Sequence, residues 1–247
     1  MSDSENELKS YIEQGLNDKF DKIITVKETD KSKIYIFEHK ETGKKIVQRI
    51  STNRNDDVFR TLRDIRSDNL VNILDVCSDE EYLMVLEEYI EGKNLFEVIS
   101  KSKLNRKTAC KYASQICDAL TQLHKNGIIH RDIKPENVVI NSNDEAVLID
   151  FSIARKINGS NESDTEYLGS IGYAAPEQFG LSQSSQATDI YSLGVLLNIM
   201  LTGEHPTVSV PKGPIKRVIN KATSTQIAKR YRDTDQMKKA LKFFCKK

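Results

Sequence analysis

The chain has 247 residues, long enough to bury a full core as one large domain or two small ones. Its 37 Lys+Arg balance 36 Asp+Glu, which argues against a protein that works on nucleic acid or on a membrane surface. No apolar run approaches a membrane span and the polar, acidic N-terminus is no signal peptide, so a soluble, cytoplasmic protein is expected.

Residues 1–7 are polar, and Leu8, Tyr11, Ile12 and Leu16 then fall at helical spacing. Residues 1–19 are accordingly expected as an N-terminal extension whose short amphipathic helix docks on the domain that follows. From Phe20 to Ile50 three strand-like runs, 23–26, 33–37 and 45–50, alternate with turn signals and predict antiparallel pairing, with Gly43 in the second turn. Val58, Leu62 and Ile65 predict a helix, and 72–77 with 82–86 a hairpin across 78–81. Leu95 to Ile99 opens a helical second part. Its longest helix is expected over 106–125, with Ala109, Tyr112, Ala113, Ile116, Ala119, Leu120 and Leu123 on one apolar face and Asn126-Gly127 ending it. Cys110 and Cys117 share a face of that helix as small core residues. With Cys77 and Cys245 they form no C-x-x-C pair, which speaks against zinc or a disulfide framework.

The next stretch, His130-Arg131-Asp132-Ile133-Lys134-Pro135-Glu136-Asn137, organises the rest of the chain. A carboxylate, a lysine two residues on and an asparagine five residues on can face one pocket from a single loop. That trio suits phosphoryl transfer, where the carboxylate orients an attacking hydroxyl and the amide holds a metal. The apolar run 146–149 reads as a buried strand delivering Asp150, a second hard-oxygen ligand suited to Mg²⁺. Asp150-Phe151-Ser152 and Ala175-Pro176-Glu177 follow in order.

These three motifs resemble those of the eukaryotic-type (Hanks-type) serine/threonine protein kinases, whose signature is H-R-D-x-x-x-x-N, D-F-G and A-P-E. The resemblance covers about residues 20–247 and is specific from residue 86 onward. It implies an α+β, bilobal fold, with a small antiparallel β-sheet N-lobe over 20–88 and a mainly helical C-lobe over 89–247. It further implies ATP and Mg²⁺ as cofactors and a protein substrate, with no nucleic-acid or membrane partner. Asp132 would be the catalytic base, with Lys134 beside it, and Asn137 and Asp150 the Mg²⁺ ligands, all but the first also touching ATP. His130 would brace the loop, Asp189 would hold its backbone, and Glu177 would form a structural ion pair with Arg230. Residues 158–166 resemble an activation loop, with Ser163, Thr165 and Ser170 as its phosphate-bearing candidates and Arg131 as the residue that grips a loop phosphate. Of the three, Ser170 is better placed to contact the catalytic loop, and Asp164 and Glu166 are candidates to hold Arg131 without modification.

The N-lobe departs from the family. Lys27, Thr29 and Ser32 stand where the glycine-rich loop is expected, and Ser152 replaces the glycine of D-F-G. Arg49 takes the place of the phosphate-pairing lysine, with Gln48 as occupant if the register slips by one; Val58 takes the place of the helix glutamate that usually pairs with it. Backbone groups from Glu88 to Ile90 would meet the adenine edge. Glu87 falls at the gate of the pocket, usually an apolar site, and its expected partner is Arg49 across the sheet. The segment 207–222 is shorter than is usual. An active serine/threonine protein kinase is the preferred reading. The alternatives are a pseudokinase binding nucleotide or a partner without turnover, and a small-molecule phosphotransferase of the aminoglycoside-kinase kind, which lacks the A-P-E segment.

Overall fold

A computed structural model describes residues 14–16, 18–53, 55–157, 169–179 and 183–245. Leu8, Tyr11, Ile12, Ser163, Asp164, Thr165 and Glu166 lie outside the described residues. The chain divides into two compact units, one running to Arg66 and including Val71–Ile90, the other Ser67–Leu70 with Glu91 onward.

The first unit is an antiparallel sheet of five strands, β1 (Phe20–Glu28), β2 (Ser32–His39), β3 (Lys45–Ser51), β4 (Ile73–Ser78) and β5 (Leu83–Glu88), in the order β1-β2-β3-β5-β4. The β2–β3 turn closes where expected: Gly43 sits at φ +67, which glycine adopts without a side-chain clash, and its amide donates to His39 O at 2.9 Å. In the β1–β2 turn, Thr29 and Ser32 exchange backbone hydrogen bonds of 2.9 and 3.3 Å. The hairpin therefore closes on Asp30-Lys31, the amides of Thr29 and Ser32 each donating to the other's carbonyl oxygen across it. Helix α1 (Asp56–Asp64) buries Val58, Phe59 and Leu62 and carries Asp56 and Asp57 in its first turn, where the helix dipole favours negative charge. Residues 14–16 are helical, and Leu16 is buried.

The second unit contains β6 (Gly92–Asn94), α2 (Leu95–Lys101), α3 (Arg106–Lys125), β7 (Ile128–Ile129), β8 (Val138–Asn141), β9 (Ala146–Leu148), β10 (Arg155–Lys156), α4 (Gln186–Thr202), α5 (Ile215–Ala222) and α6 (Thr234–Cys245). Strands β6, β8 and β9 form one small sheet, and β7 pairs with β10. Ser67–Leu70 belongs here because Leu148 N donates to Asn69 O, and Asn69 Nδ2 to Ala146 O, both at 2.9 Å. Helix α3 starts at Asn105, whose side chain accepts from Thr108 N. All seven residues of its expected apolar face are buried, as are Cys110 and Cys117. Helix α4 is buried nearly all round, so its sequence carries no polar face and it forms the centre of the unit. A Cβ on Gly194 would lie 2.6 Å from Ala222 Cβ, so glycine there permits the close approach of α5. Met237, Leu241 and Phe244 seat α6, each buried side chain contributing about 1.5–3 kcal/mol. No helix among the described residues is long and apolar enough to cross a membrane.

Candidate active site

In the second unit, Asp189 near the start of α4 organises the loop that follows β7. Its carboxylate accepts from the amides of His130 (3.0 Å) and Arg131 (2.8 Å) and pairs with His124 Nε2 at 2.8 Å. Burial alone would push the Asp189 carboxyl up; the hydrogen bond with His124, together with the Arg131 amide, more than offsets it and holds it below the usual carboxylate range. These bonds keep Arg131 at φ +69, a left-handed conformation that costs a non-glycine residue about 1–2 kcal/mol. Gln178 Nε2 adds a bond to Arg131 O at 2.8 Å, and Arg131 Nε donates to Ile153 O at 2.7 Å. The His130 ring lies edge-on to Phe151, with centroids 5.2 Å apart, and meets Ile149 O at 3.3 Å. Burial pushes the imidazole pKa below its ordinary value, overcoming the carboxylates of Asp189, Asp132 and Asp150, so a structural, uncharged His130 fits the site.

The loop held in this way presents three of the expected residues to one another. Lys134 Nζ lies 2.7 Å from Asp132 Oδ2, and Asn137 Nδ2 donates to both Oδ2 and the backbone oxygen of Asp132 at 2.9 Å. Ser170 completes the group, accepting from Lys134 Nζ at 2.7 Å and donating its hydroxyl to Asp132 Oδ1 at 2.7 Å. An alcohol thus sits with a carboxylate on its proton and an ammonium on its oxygen.

Asp150 follows β9 in a left-handed conformation, φ +63, and its Oδ1 accepts from Ser152 N at 3.2 Å. Ile149 N donates to Asn137 O at 2.9 Å, and β9 pairs with β8 through Val138 and Leu148. The β8–β9 hairpin therefore brings Asn137 and Asp150 to one end. With its amide nitrogen bonded to Asp132, Asn137 offers its oxygen, and Asp150 offers a carboxylate. Two hard oxygens suit Mg²⁺, which fills its remaining positions with waters and phosphate oxygens. Among the described residues no group of three or more His, Cys, Asp or Glu could hold a metal ion.

Beyond the loop, Arg230 grips Glu177 with both terminal nitrogens, at 2.6 and 2.8 Å, and Thr188 Oγ1 donates to Glu177 at 3.0 Å. Arg230 also donates to Ala187 O and Ser224 O and stacks over Tyr191. Burial pushes the Glu177 carboxyl up, and the Arg230 bonds outweigh this and hold it below its ordinary value. Sequence reasoning missed His124, Gln178 and Thr188. A signal existed for His124, which continues the Ile116–Leu120 stripe of α3 by four more residues, so that a polar side chain falls on a buried face.

In the first unit, Arg49 and Glu87 occupy the same face of the sheet. The β3–β5 register pairs Val47 with Glu87 and Arg49 with Val85, which makes Arg49 and Glu87 diagonal neighbours. Arg49 Nε lies 2.9 Å from both carboxylate oxygens. Gln48 points to the opposite face, buried, with Nε2 3.0 Å from Met84 Sδ. Of the two candidate occupants, Arg49 is therefore the one paired with Glu87. Val58 is buried in α1. Glu88 accepts from Asn72 N (3.1 Å) and Nδ2 (2.9 Å), while its own amide donates to Asn72 O; Ile90 follows at the end of the unit.

Residues 11–247 match the family described as protein kinase domain. A probable serine/threonine-protein kinase of Clostridium acetobutylicum is 40% identical over 144 residues, 58% of this chain and 22% of that protein. Serine/threonine-protein kinase PrkC of Bacillus subtilis is 33% identical over 175 residues, 68% of this chain and 27% of its own length. A probable serine/threonine-protein kinase PknB of Lactococcus lactis is 30% identical over 194 residues, 68% of this chain and 31% of its own. The matched part thus spans 22–31% of these relatives.

Proposed function

The chain belongs to the protein kinase domain family, and from that premise we propose that it transfers the terminal phosphoryl group of ATP to serine and threonine hydroxyls of protein substrates. The observation that carries this reading is the hydroxyl of Ser170 held between Asp132 Oδ1 and Lys134 Nζ, 2.7 Å from each. A substrate alcohol taking the same two contacts would have its proton directed at Asp132 and its oxygen aligned for attack, while the Lys134 ammonium offsets the negative charge that develops nearby. Asn137 and Asp150 would hold Mg²⁺, which when bound neutralises charge on the transferring phosphoryl oxygens. The bond of Asn137 to Asp132 ties the metal ligand to the base, so both keep their spacing. Because phosphoryl transfer asks for positioning and charge stabilisation, loops held as rigidly as this one meet its demands.

A second reading, nucleotide binding without turnover, draws on the β1–β2 hairpin, where the amides of Thr29 and Ser32 donate to each other's carbonyl oxygens and are not left to a phosphate. Labelled ATP with Mg²⁺ and a casein acceptor separates the two. Transfer by the native chain, with Asp132→Asn and Asp150→Ala each reduced on the order of 10³-fold, equivalent to about 4 kcal/mol of barrier, is the expected outcome. Variants within tenfold of the native rate would refute the assignment. Nucleotide binding with no transfer would favour the second reading.

A further inference from the structure

We propose that Glu87 is the positioning residue for Arg49, so that the cation intended for the nucleotide phosphates is set by the register of the sheet and not by the pose of a helix. The inference rests on the reading of Arg49 as the phosphate-binding cation given above. Glu87 is 2% exposed and Arg49 16%. A carboxylate buried to that degree requires a charged or hydrogen-bonding partner, and Arg49 Nε donates to its Oε2 at 2.9 Å and stands at ion-pair distance, 2.9 Å, from Oε1, which accepts no hydrogen bond. Both residues are on adjacent strands, and β5 is held on its other side by β4, where Ile73 faces Glu87. The pair is therefore fixed by backbone hydrogen bonding on three neighbouring strands. Helix α1, by contrast, turns Val58, Phe59 and Leu62 into the core. Val58 stands at the position that aligns with a pairing carboxylate, and a buried isopropyl group there has nothing to offer a cation.

The chemistry of arginine completes the argument. Its guanidinium is a planar fork with Nε at one edge and the two terminal nitrogens at the other. A carboxylate on the Nε edge can orient the plane while the far edge addresses phosphate oxygens. A lysine carries its donors on one nitrogen, so Glu87 could hold it but the division of the two tasks between separate edges of a planar fork would be lost. Arg49 and Glu87 are thus a matched set, and neither is exchangeable alone.

Dissociation constants for Mg·ATP, measured by fluorescence titration, and KM values for ATP and for the protein acceptor test this. Glu87→Gln should weaken ATP binding about tenfold and raise KM for ATP, leaving KM for the acceptor unchanged. Arg49→Lys keeps a partner for Glu87 and should stay folded, yet bind ATP within threefold of Arg49→Ala. Adding Glu87→Gln to Arg49→Ala should cost nothing further, and Asp56→Asn with Asp57→Asn on α1 should stay within twofold of native affinity. Native affinity in Glu87→Gln, or an equal loss in the α1 variant, overturns the inference and leaves the phosphotransfer reading standing. The expected affinity pattern in a chain with no turnover supports the inference and sinks that reading instead.

Discussion

Ser170 occupies a position that bears directly on how Asp132 and Lys134 work. Its hydroxyl bridges the two at 2.7 Å each way, although Asp132 and Lys134 also meet directly at 2.7 Å. If the bridge steadies both side chains, Ser170→Ala should lower kcat/KM for a protein acceptor about three- to tenfold, the effect of losing about 1 kcal/mol of net hydrogen bonding. Ser170→Thr, which keeps the hydroxyl, should remain within twofold. Turnover that rises in Ser170→Ala would instead mean that this hydroxyl competes with the substrate for Asp132. At this scale the sequence was informative wherever the chemistry sits on one short loop. Asp132, Lys134 and Asn137 are separated by two and three residues, so their convergence follows from local geometry, and Asp150 follows from a strand that points it. Ser170 reaches Asp132 from 38 residues ahead, a contact that the resemblance suggested and local spacing does not encode, while His124 acts on the loop through Asp189, and only its place on a buried stripe hinted at that.

Between elements, the Glu177–Arg230 pair ties the short helical turn after Pro176 to the loop that precedes α6 and to the start of α4 through Thr188 and Ala187. Both partners are buried, Arg230 with four hydrogen bonds from its guanidinium to Glu177, Ala187 and Ser224. Removing one partner leaves the other as an uncompensated buried charge, so Arg230→Met should cost about 3–5 kcal/mol in chemical denaturation. Glu177→Gln combined with Arg230→Met removes both charges and should recover a large part of that loss. A double variant as unstable as Arg230→Met would place the energy in packing of the long side chain and not in charge. The helices and strands were legible where their patterns are strong: the apolar face of α3 and the Gly43 turn both follow from residue type. The first unit was harder to read. In the β1–β2 hairpin polar residues replace the glycines on which a resemblance would rest, and the facing of Gln48 and Arg49 depends on a register that only the pairing with β5 fixes.

For the whole molecule, the buried polar groups around α4 set how stability varies with pH. His130 is held below its ordinary pKa by burial, so the folded chain keeps a neutral imidazole at pH values where the unfolded chain has already taken a proton. Stability should therefore begin to fall as pH drops below about 6.5, with a limiting slope of about 1.4 kcal/mol per pH unit for this one group. Asp189 and Glu177 are shifted the same way but from a lower start, each held below the usual carboxylate range against burial by His124 and Arg230 respectively. What they contribute is complete above about pH 4, the range of the unfolded carboxylates, and is lost as pH falls through their folded values. Two steps are thus expected in the melting temperature, a gradual decline that begins below about pH 6.5 and a steeper one below about 4. His130→Gln should flatten the first step and leave the second in place. Thermal melts of the native chain and of His130→Gln between pH 3 and 8 provide the measurement. A native curve flat from pH 7.5 to 5, or a first step that persists unchanged in His130→Gln, would show that His130 does not govern the upper range, and its burial beside Phe151 and Asp189 would then have to be matched by a partner for the protonated ring.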